Sequence, residues 1–322
     1  MTGYAVGVDF GGTNIKIGLV HGPGRVVATQ ILSARRYGRP AAFIRGVSEA
    51  IAALVSSRGI RRLAGVGIGA PGPSDAQRGI VHSLVNVPGW RHVPLGRQLE
   101  RRLGCRCVVD NDVNLFTLGE WRFGAGRGTR NLIGITLGTG VGGGLVVDGR
   151  PYRGSSGAAG EVGHMVIDPA GPRCHCGSRG CLEAHVAAGA IVRMGREALR
   201  HSHGPLRTIA RQAHGRLTSQ LIGRAARQGD PAARRIWAEV GRFLGIGLAN
   251  LVNLLDPDRI VIGGGVANNW SLLYPALSRS LRAQAMPVPG RRLAVVRARL
   301  GDRAGMLGAA ALILDRNVRS AS

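Results

Sequence analysis

The chain has 322 residues, is 44% hydrophobic and carries a formal charge of +25 at pH 7. That length and apolar content exclude a disordered tail and suit about two domains, each with a real core. The charge is almost all arginine, since Lys16 is the only lysine; the arginines are scattered without interleaved aromatics, so no nucleic-acid partner is expected.

The opening residues MTGYAVGVDF lack the charged-then-apolar layout of a signal peptide, and no apolar run approaches the roughly 20 residues of a membrane span. A cytoplasmic protein with no membrane partner is expected. Thiols stay reduced there, so the five cysteines point to metal binding or burial rather than disulfides.

Residues 4 to 22 read as a strand, a glycine turn and a second strand, with a third strand in RVVATQIL. A helical stretch follows near 40 to 57, then a buried-type strand AGVGIGAPG, a short helix near 94 to 103, the strand CVVDND and a helix from about Val113. Residues 134 to 149, GITLGTGVGGGLVVDG, repeat the opening plan without a gap: Gly7 falls on Gly134, Val8 on Ile135, Gly11 on Gly138 and Gly22 on Gly149. Beyond a cysteine cluster the chain turns mostly helical, with Asp230 and Pro231 as cap and first-turn proline of a long helix toward Leu255. RIVIGGGVANN supplies strand, glycine turn and helix, RRLAVVRARLG a late strand, and AGMLGAAALIL a small-residue helix. Strands alternating with helices, in two similarly built halves, predict an α/β fold. No linker divides the chain.

Three glycine turns, DFGGTN, LGTGVGGG and IGGGV, each follow an apolar strand, where backbone N–H groups converge on phosphate oxygens without a Cβ in the way. No GxxxxGK[ST] run exists, and no GxGxxG opens a helix after a strand, which excludes the P-loop and dinucleotide-binding designs. LGTGVGGG instead runs from strand into strand.

Cys174, Cys176 and Cys181 offer three thiolates on a short loop, and His164, ten residues upstream, can supply a fourth tetrahedral ligand. Such a closed set is structural and would contribute folding free energy to a loop without an apolar core. His175 and His185 are competing histidines. Cys105 and Cys107 alternate in an apolar stretch as ordinary strand residues.

The strand-to-strand phosphate turn, the duplicated plan and DFGGTN resemble the actin, hexokinase and sugar-kinase ATPase superfamily. Within it, DFGGTNIKIGLV, GIGAPG, VDNDVNLFTLGE, GTGVGGGLVVDGRPYRGSSGAAGEVGHM and CHCGSRGCLE resemble the ROK family of bacterial sugar kinases and repressors, most closely its ATP-dependent glucokinases. The resemblance spans nearly the whole chain. It implies two α/β lobes of duplicated ribonuclease H-like plan, expected at 1–115, completed by a helix over 303–322, and at 116–302, which holds the zinc loop 164–181.

The resemblance also implies roles. Zn2+ would sit on His164, Cys174, Cys176 and Cys181. Asn111, Asp112, Glu161, His164 and Glu183 would bind the sugar, with backbone around Gly72 closing the other side. Asp112 would be the general base, a role that competes with a helix N-cap reading of the same residue. Asp9 would face the phosphates and their Mg2+. Gly11, Gly12, Thr13 and Asn14 of the first turn and Gly138, Thr139 and Gly140 of the second would lie at phosphate, with Lys16 as a further donor or, since it alternates with apolar residues, as a residue that only faces solvent. Gly263, Gly264 and Gly265 would lie under adenosine. Asn86 and Trp90 are weaker candidates for a loop covering the sugar.

The expected activity is transfer of the ATP γ-phosphate to the 6-hydroxyl of a hexose, glucose above all, by a homodimer or homotetramer. N-acetylmannosamine and other ROK hexoses, or polyphosphate as donor, are alternatives. A sugar-sensing ROK repressor would carry a helix-turn-helix domain ahead of the kinase-like body; here the first phosphate strand begins within ten residues of Met1, so an enzyme is the expectation.

Overall fold

The computed structural model describes residues 3–84, 87 and 89–315. Strand β1 (Tyr4–Phe10) returns through DFGGTN as β2 (Asn14–His21) and continues into β3 (Arg25–Ser33), all antiparallel. Helix α1 (Pro40–Ser56) crosses to β4 (Leu63–Ala70), which pairs parallel with β1. A small antiparallel sheet follows, β5 (Ser74–Asp75), β6 (Ile80–Ser83) and β7 (Arg91–Val93), which the sequence reading did not include. Then come α2 (Leu95–Leu103), β8 (Cys107–Asn111) and α3 (Asp112–Phe123).

The repeat opens with β9 (Leu132–Leu137), β10 (Val141–Val147) and β11 (Arg150–Tyr152). Helices α4 (Leu182–Val186), α5 (Ala188–Ala198), α6 (Pro205–Gln212), α7 (Ser219–Arg227) and α8 (Pro231–Leu255) precede β12 (Arg259–Gly263). The chain closes with α9 (Trp270–Gln284), α10 (Pro287–Arg292), β13 (Ala294–Arg297) and α11 (Ala304–Leu314).

The two large sheets run β3-β2-β1-β4-β8 and β11-β10-β9-β12-β13, the same order strand for strand. The duplication read from Gly7 and Gly134 is therefore a duplication of topology. The fold is α/β, of the two-fold repeated actin and hexokinase-like kind.

Two compact units result. One holds the described residues up to Gly134, with Gly144–Gly160 and the described residues from Ala298; the other holds Ile135–Gly143 and Glu161–Arg297. The boundary expected at 115 thus falls later, because α3 stays with the first unit. The reason is close helix packing: a Cβ on Gly308 of α11 would lie 1.8 Å from the Leu115 carbonyl oxygen, and one on Gly119 of α3 would lie 2.1 Å from that of Ala304. Buried Glu120 fixes the same seam. Its carboxylate accepts Leu300 N at 2.7 Å, Arg299 N at 3.1 Å and Ala125 N at 2.8 Å, so no buried oxygen lacks a donor.

The first unit's core gathers Val6, Val8, Phe10, Ile15, Ile17, Phe43, Ile51, Ile68 and Leu99, all buried. Trp90 belongs to it. It is 1% exposed, packs on Phe10 and Phe43, and donates its indole N–H to Gly38 O at 2.6 Å. Trp90 is thus a core residue and not a cover for a sugar; Asn86 lies outside the described residues.

In the second unit α8 is capped by Asp230, which accepts Ala233 N at 2.9 Å. At 25 residues α8 is long and apolar enough by composition to cross a membrane, more than the sequence reading allowed. Ile236, Trp237, Val240, Leu244, Leu248 and Val252 are instead buried within the unit, while Arg235, Glu239 and Arg242 remain on its other side, the pattern of a core helix.

Candidate active site and metal centre

Strand β8 ends where function was expected to begin, and three successive residues there take three different tasks. Asp110 is 2% exposed and structural. Its Oδ1 accepts Asn111 N at 2.8 Å and Asn114 Nδ2 at 3.0 Å, and its Oδ2 accepts Arg153 Nε at 2.9 Å and Nη2 at 2.7 Å. Asn111 is the N-cap of α3: its Oδ1 accepts Val113 N at 2.8 Å and Asn114 N at 3.2 Å, and its Nδ2 donates to Gly72 O at 3.2 Å.

The cap therefore falls to Asn111, and Asp112 is the first helical residue. It is half-buried and accepts Val113 N at 3.0 Å. Arg153 was not singled out from sequence. Its signal was only a basic residue in PYRGSSG, and its partner lies 43 positions away.

Asp9 lies at the end of β1, in register with Lys16 across the hairpin. Burial raises its carboxyl above the usual range, Lys16 opposes that, and Asp302 adds to it. Lys16 Nζ donates to Asp302 O at 3.2 Å, so this lysine does more than face solvent. Gly305, in the first turn of α11, leaves room for Asp9: a Cβ there would be 2.9 Å from Asp9 Cγ. Gly11 N donates to Asn14 O at 3.0 Å to close the turn, whose Gly12, Thr13 and Asn14 are exposed.

In the second unit the turn between β9 and β10 is closed by Gly138 N on Gly140 O at 2.9 Å, with Thr139 exposed at its tip. Ala188 N, at the start of α5, donates to Gly138 O at 2.9 Å. The Gly263, Gly264 and Gly265 turn leaves β12 against the same place. Gly264 has φ +90° and a Cβ on it would lie 2.3 Å from Leu137 O, so only glycine passes there.

Below this turn, His164, Cys174, Cys176 and Cys181 present their ligand atoms within 4.8 Å of one another. Cys174 Sγ is 3.7 Å from His164 Nδ1, and Cys176 Sγ is 3.7 Å from Cys181 Sγ. Ligands around a tetrahedral zinc, at roughly 2.3 Å for sulfur and 2.0 Å for nitrogen, stand about 3.5–3.8 Å apart, so these four residues fit that ion. The Cys174–Ser178 turn and the antiparallel bridge between Val166 and Cys181 hold the loop open to it. Burial pushes the Cys181 thiol up to about 11 and raises that of Cys174, whereas a backbone hydrogen bond with Ser178 lowers that of Cys176.

The competing histidines are elsewhere. His175 is exposed in the loop, and His185 is 7% exposed, packed on Phe243 with ring centroids 3.8 Å apart.

The metal loop brings three of the expected residues together. With Nδ1 of His164 toward Cys174, its Nε2 lies 3.9 Å from Glu161 Oε2. Glu183, on α4 two residues past Cys181, has Oε1 3.8 Å from Cys174 Sγ, and its Oε2 accepts Val141 N at 2.9 Å. That last contact, between the metal loop and the glycine turn, had no signal in the sequence.

Known proteins match nearly the whole chain. The family model for the ROK family matches residues 5–316. A glucokinase of Thermotoga maritima is 37% identical over 311 residues, covering 97% of both chains. The crystal structure of a ROK family glucokinase from Streptomyces griseus, in complex with glucose and AMPPNP, is 38% identical with a TM-score of 0.80, over 96% of this chain and 99% of that one. Regulators are relatives as well: the DNA-binding transcriptional repressor Mlc of Escherichia coli is 33% identical over 252 residues, 78% of this chain and 61% of Mlc.

Proposed function

This chain belongs to the ROK family, and from that premise we propose that it is an ATP-dependent hexose kinase, with glucose as its preferred acceptor. The observation that carries the reading is the Asn111–Asp112 turn. Asn111 takes the capping task and Asp112 follows it as the half-buried first residue of α3, in a chain 38% identical to a glucokinase solved with glucose and AMPPNP.

In the reaction the sugar's 6-hydroxyl oxygen bonds to the γ-phosphorus, the bond from that phosphorus to the β,γ-bridging oxygen breaks, and ADP leaves. Asp112 accepts the hydroxyl proton as the new bond forms. Asn111, with Gly72 behind it, and in the second unit Glu161, His164 and Glu183 are the proposed hexose ligands; carboxylates suit paired hydroxyls because each oxygen accepts more than one hydrogen bond. Asp9 is the proposed partner of Mg2+, which would relieve the burial cost of its charge. Gly11, Gly12, Thr13 and Asn14, and Gly138, Thr139 and Gly140, offer backbone and hydroxyl donors to phosphate, with Gly263, Gly264 and Gly265 under adenosine. Zn2+ on His164, Cys174, Cys176 and Cys181 would stabilise the loop that carries Glu161 and Glu183.

The test is a coupled assay of ADP release across glucose, mannose, N-acetylmannosamine and N-acetylglucosamine, with ATP and with polyphosphate as donors. A glucose signal with ATP is expected. Turnover confined to polyphosphate would change the donor, and hexose binding without turnover would move the protein to the regulators it also resembles.

A further inference from the structure

The backbone of one residue in the second unit, Val141, is held from both sides by the residues that flank the metal loop. Val141 begins β10 immediately after the Gly138–Gly140 turn. Its N–H donates to Glu183 Oε2 at 2.9 Å, and its carbonyl oxygen lies against Gly163, where a Cβ would come within 2.2 Å. Gly163 precedes His164, and Glu183 follows Cys181 by two. Glu183 is therefore no isolated ligand: one oxygen is committed to the turn, and Oε1 lies on the Cys174 side.

The fit is tight at one glycine and loose at its neighbour. A Cβ on Gly140 would stand 2.7 Å from Glu183 Oε2 and would meet no side chain or backbone but Glu183 within 4 Å, whereas a Cβ on Gly138 would meet nothing within 4 Å.

We infer that Glu183 is a positioning residue for the phosphate turn as well as a hexose ligand, so that hexose and nucleotide each order the site of the other through the Val141 N–H. The inference rests on the hexose-kinase reading. Glu183 already holds Val141 N, and a hydroxyl donating to Glu183 restrains the carboxylate further, so the turn is held more firmly for the γ-phosphate when an acceptor is present. Such coupling is reciprocal in binding free energy. It disfavours a well-formed phosphate site when water is the sole acceptor, the side reaction a kinase must avoid.

The test reads the cross-effects in the full-length protein by calorimetry. Gly140→Ala displaces the Glu183 carboxylate, so glucose affinity measured without nucleotide should fall roughly tenfold, the scale of one hydrogen bond to a charged group. Gly138→Ala, in the same turn, should leave glucose affinity unchanged. In the other direction, Glu183→Ala should weaken AMPPNP binding measured without glucose by a similar factor, with zinc content and melting temperature confirming that the loop remains folded. Purely local roles predict the opposite pattern: Gly140→Ala would affect nucleotide alone and Glu183→Ala sugar alone. That result, or equal glucose affinities for the two glycine variants, overturns the inference. Failure of the unaltered protein to bind any hexose overturns the kinase reading instead, so the two failures are distinct.

Discussion

Arg153→Gln tests the ion pair that stands behind the Asn111–Asp112 turn. Asp110 is 2% exposed, and both guanidinium contacts, at 2.9 Å and 2.7 Å, fall on its Oδ2. Removing the cation strands a buried carboxylate, which costs about 3–5 kcal/mol in general. Asp110 Oδ1 keeps its donors from Asn111 N and Asn114 Nδ2, so the lower end, about 3 kcal/mol, applies here. At about 2–4 °C per kcal/mol for a unit of 150–250 residues, the melting temperature should drop by roughly 6–12 °C. The assay is thermal denaturation followed by circular dichroism on the wild type, Arg153→Gln, Asp110→Asn and the double variant. The double variant replaces an ion pair by two amides and leaves no unpaired charge, so it should recover most of the loss. A single variant melting within about 1 °C of wild type, or a double variant no more stable than Arg153→Gln, would refute the assignment of Arg153 as the partner that makes Asp110 tolerable.

Asp112→Ala should lower turnover by about 10²–10⁴, the usual contribution of a general base, with an unchanged melting temperature; near-normal turnover counts against the mechanism. Cys176→Ala should reduce bound zinc, measured by atomic emission, and weaken glucose binding through Glu161, His164 and Glu183; loss of metal with wild-type glucose affinity contradicts that link. Asp9→Asn has opposite effects on stability and activity. Because burial raises the Asp9 carboxyl, the stability tied to its protonated form is present below the unfolded carboxyl pKa and is lost as pH rises through the higher folded one. The amide cannot ionise, so the unliganded variant should melt above wild type at pH 7 but not at pH 3, while turnover with MgATP falls by roughly 10². Gly308→Ala should destabilise by about 1–3 kcal/mol or more in urea titration, since the added carbon would lie 1.8 Å from the Leu115 carbonyl.

Much of the architecture was legible because it was written locally. The period-two strands, the glycine turns after them and the gapless match of Gly7 with Gly134 determined an α/β fold built twice, and the two sheets repeat one strand order. The CxC and x4 spacing likewise determined which thiols meet, since a loop that short has few ways to arrange them. The small sheet β5-β6-β7 was missed because two-to-four-residue strands carry too little periodicity to read. The boundary at 115 missed because helix α3 is claimed by α11, nearly two hundred positions later, through glycines that reveal nothing until the two backbones touch. For the same reason the sequence favoured Asp112 as base over cap on its motif alone and did not locate the cap. The cap went to Asn111, because its side chain could also reach Gly72 O, a partner set by the strand order of the sheet. Which residue types the chemistry requires is a property of the chain; which carboxylate is paired with Arg153, which holds Val141 N and which stands at the helix start depends on contacts between distant segments, and only the tertiary structure supplies those.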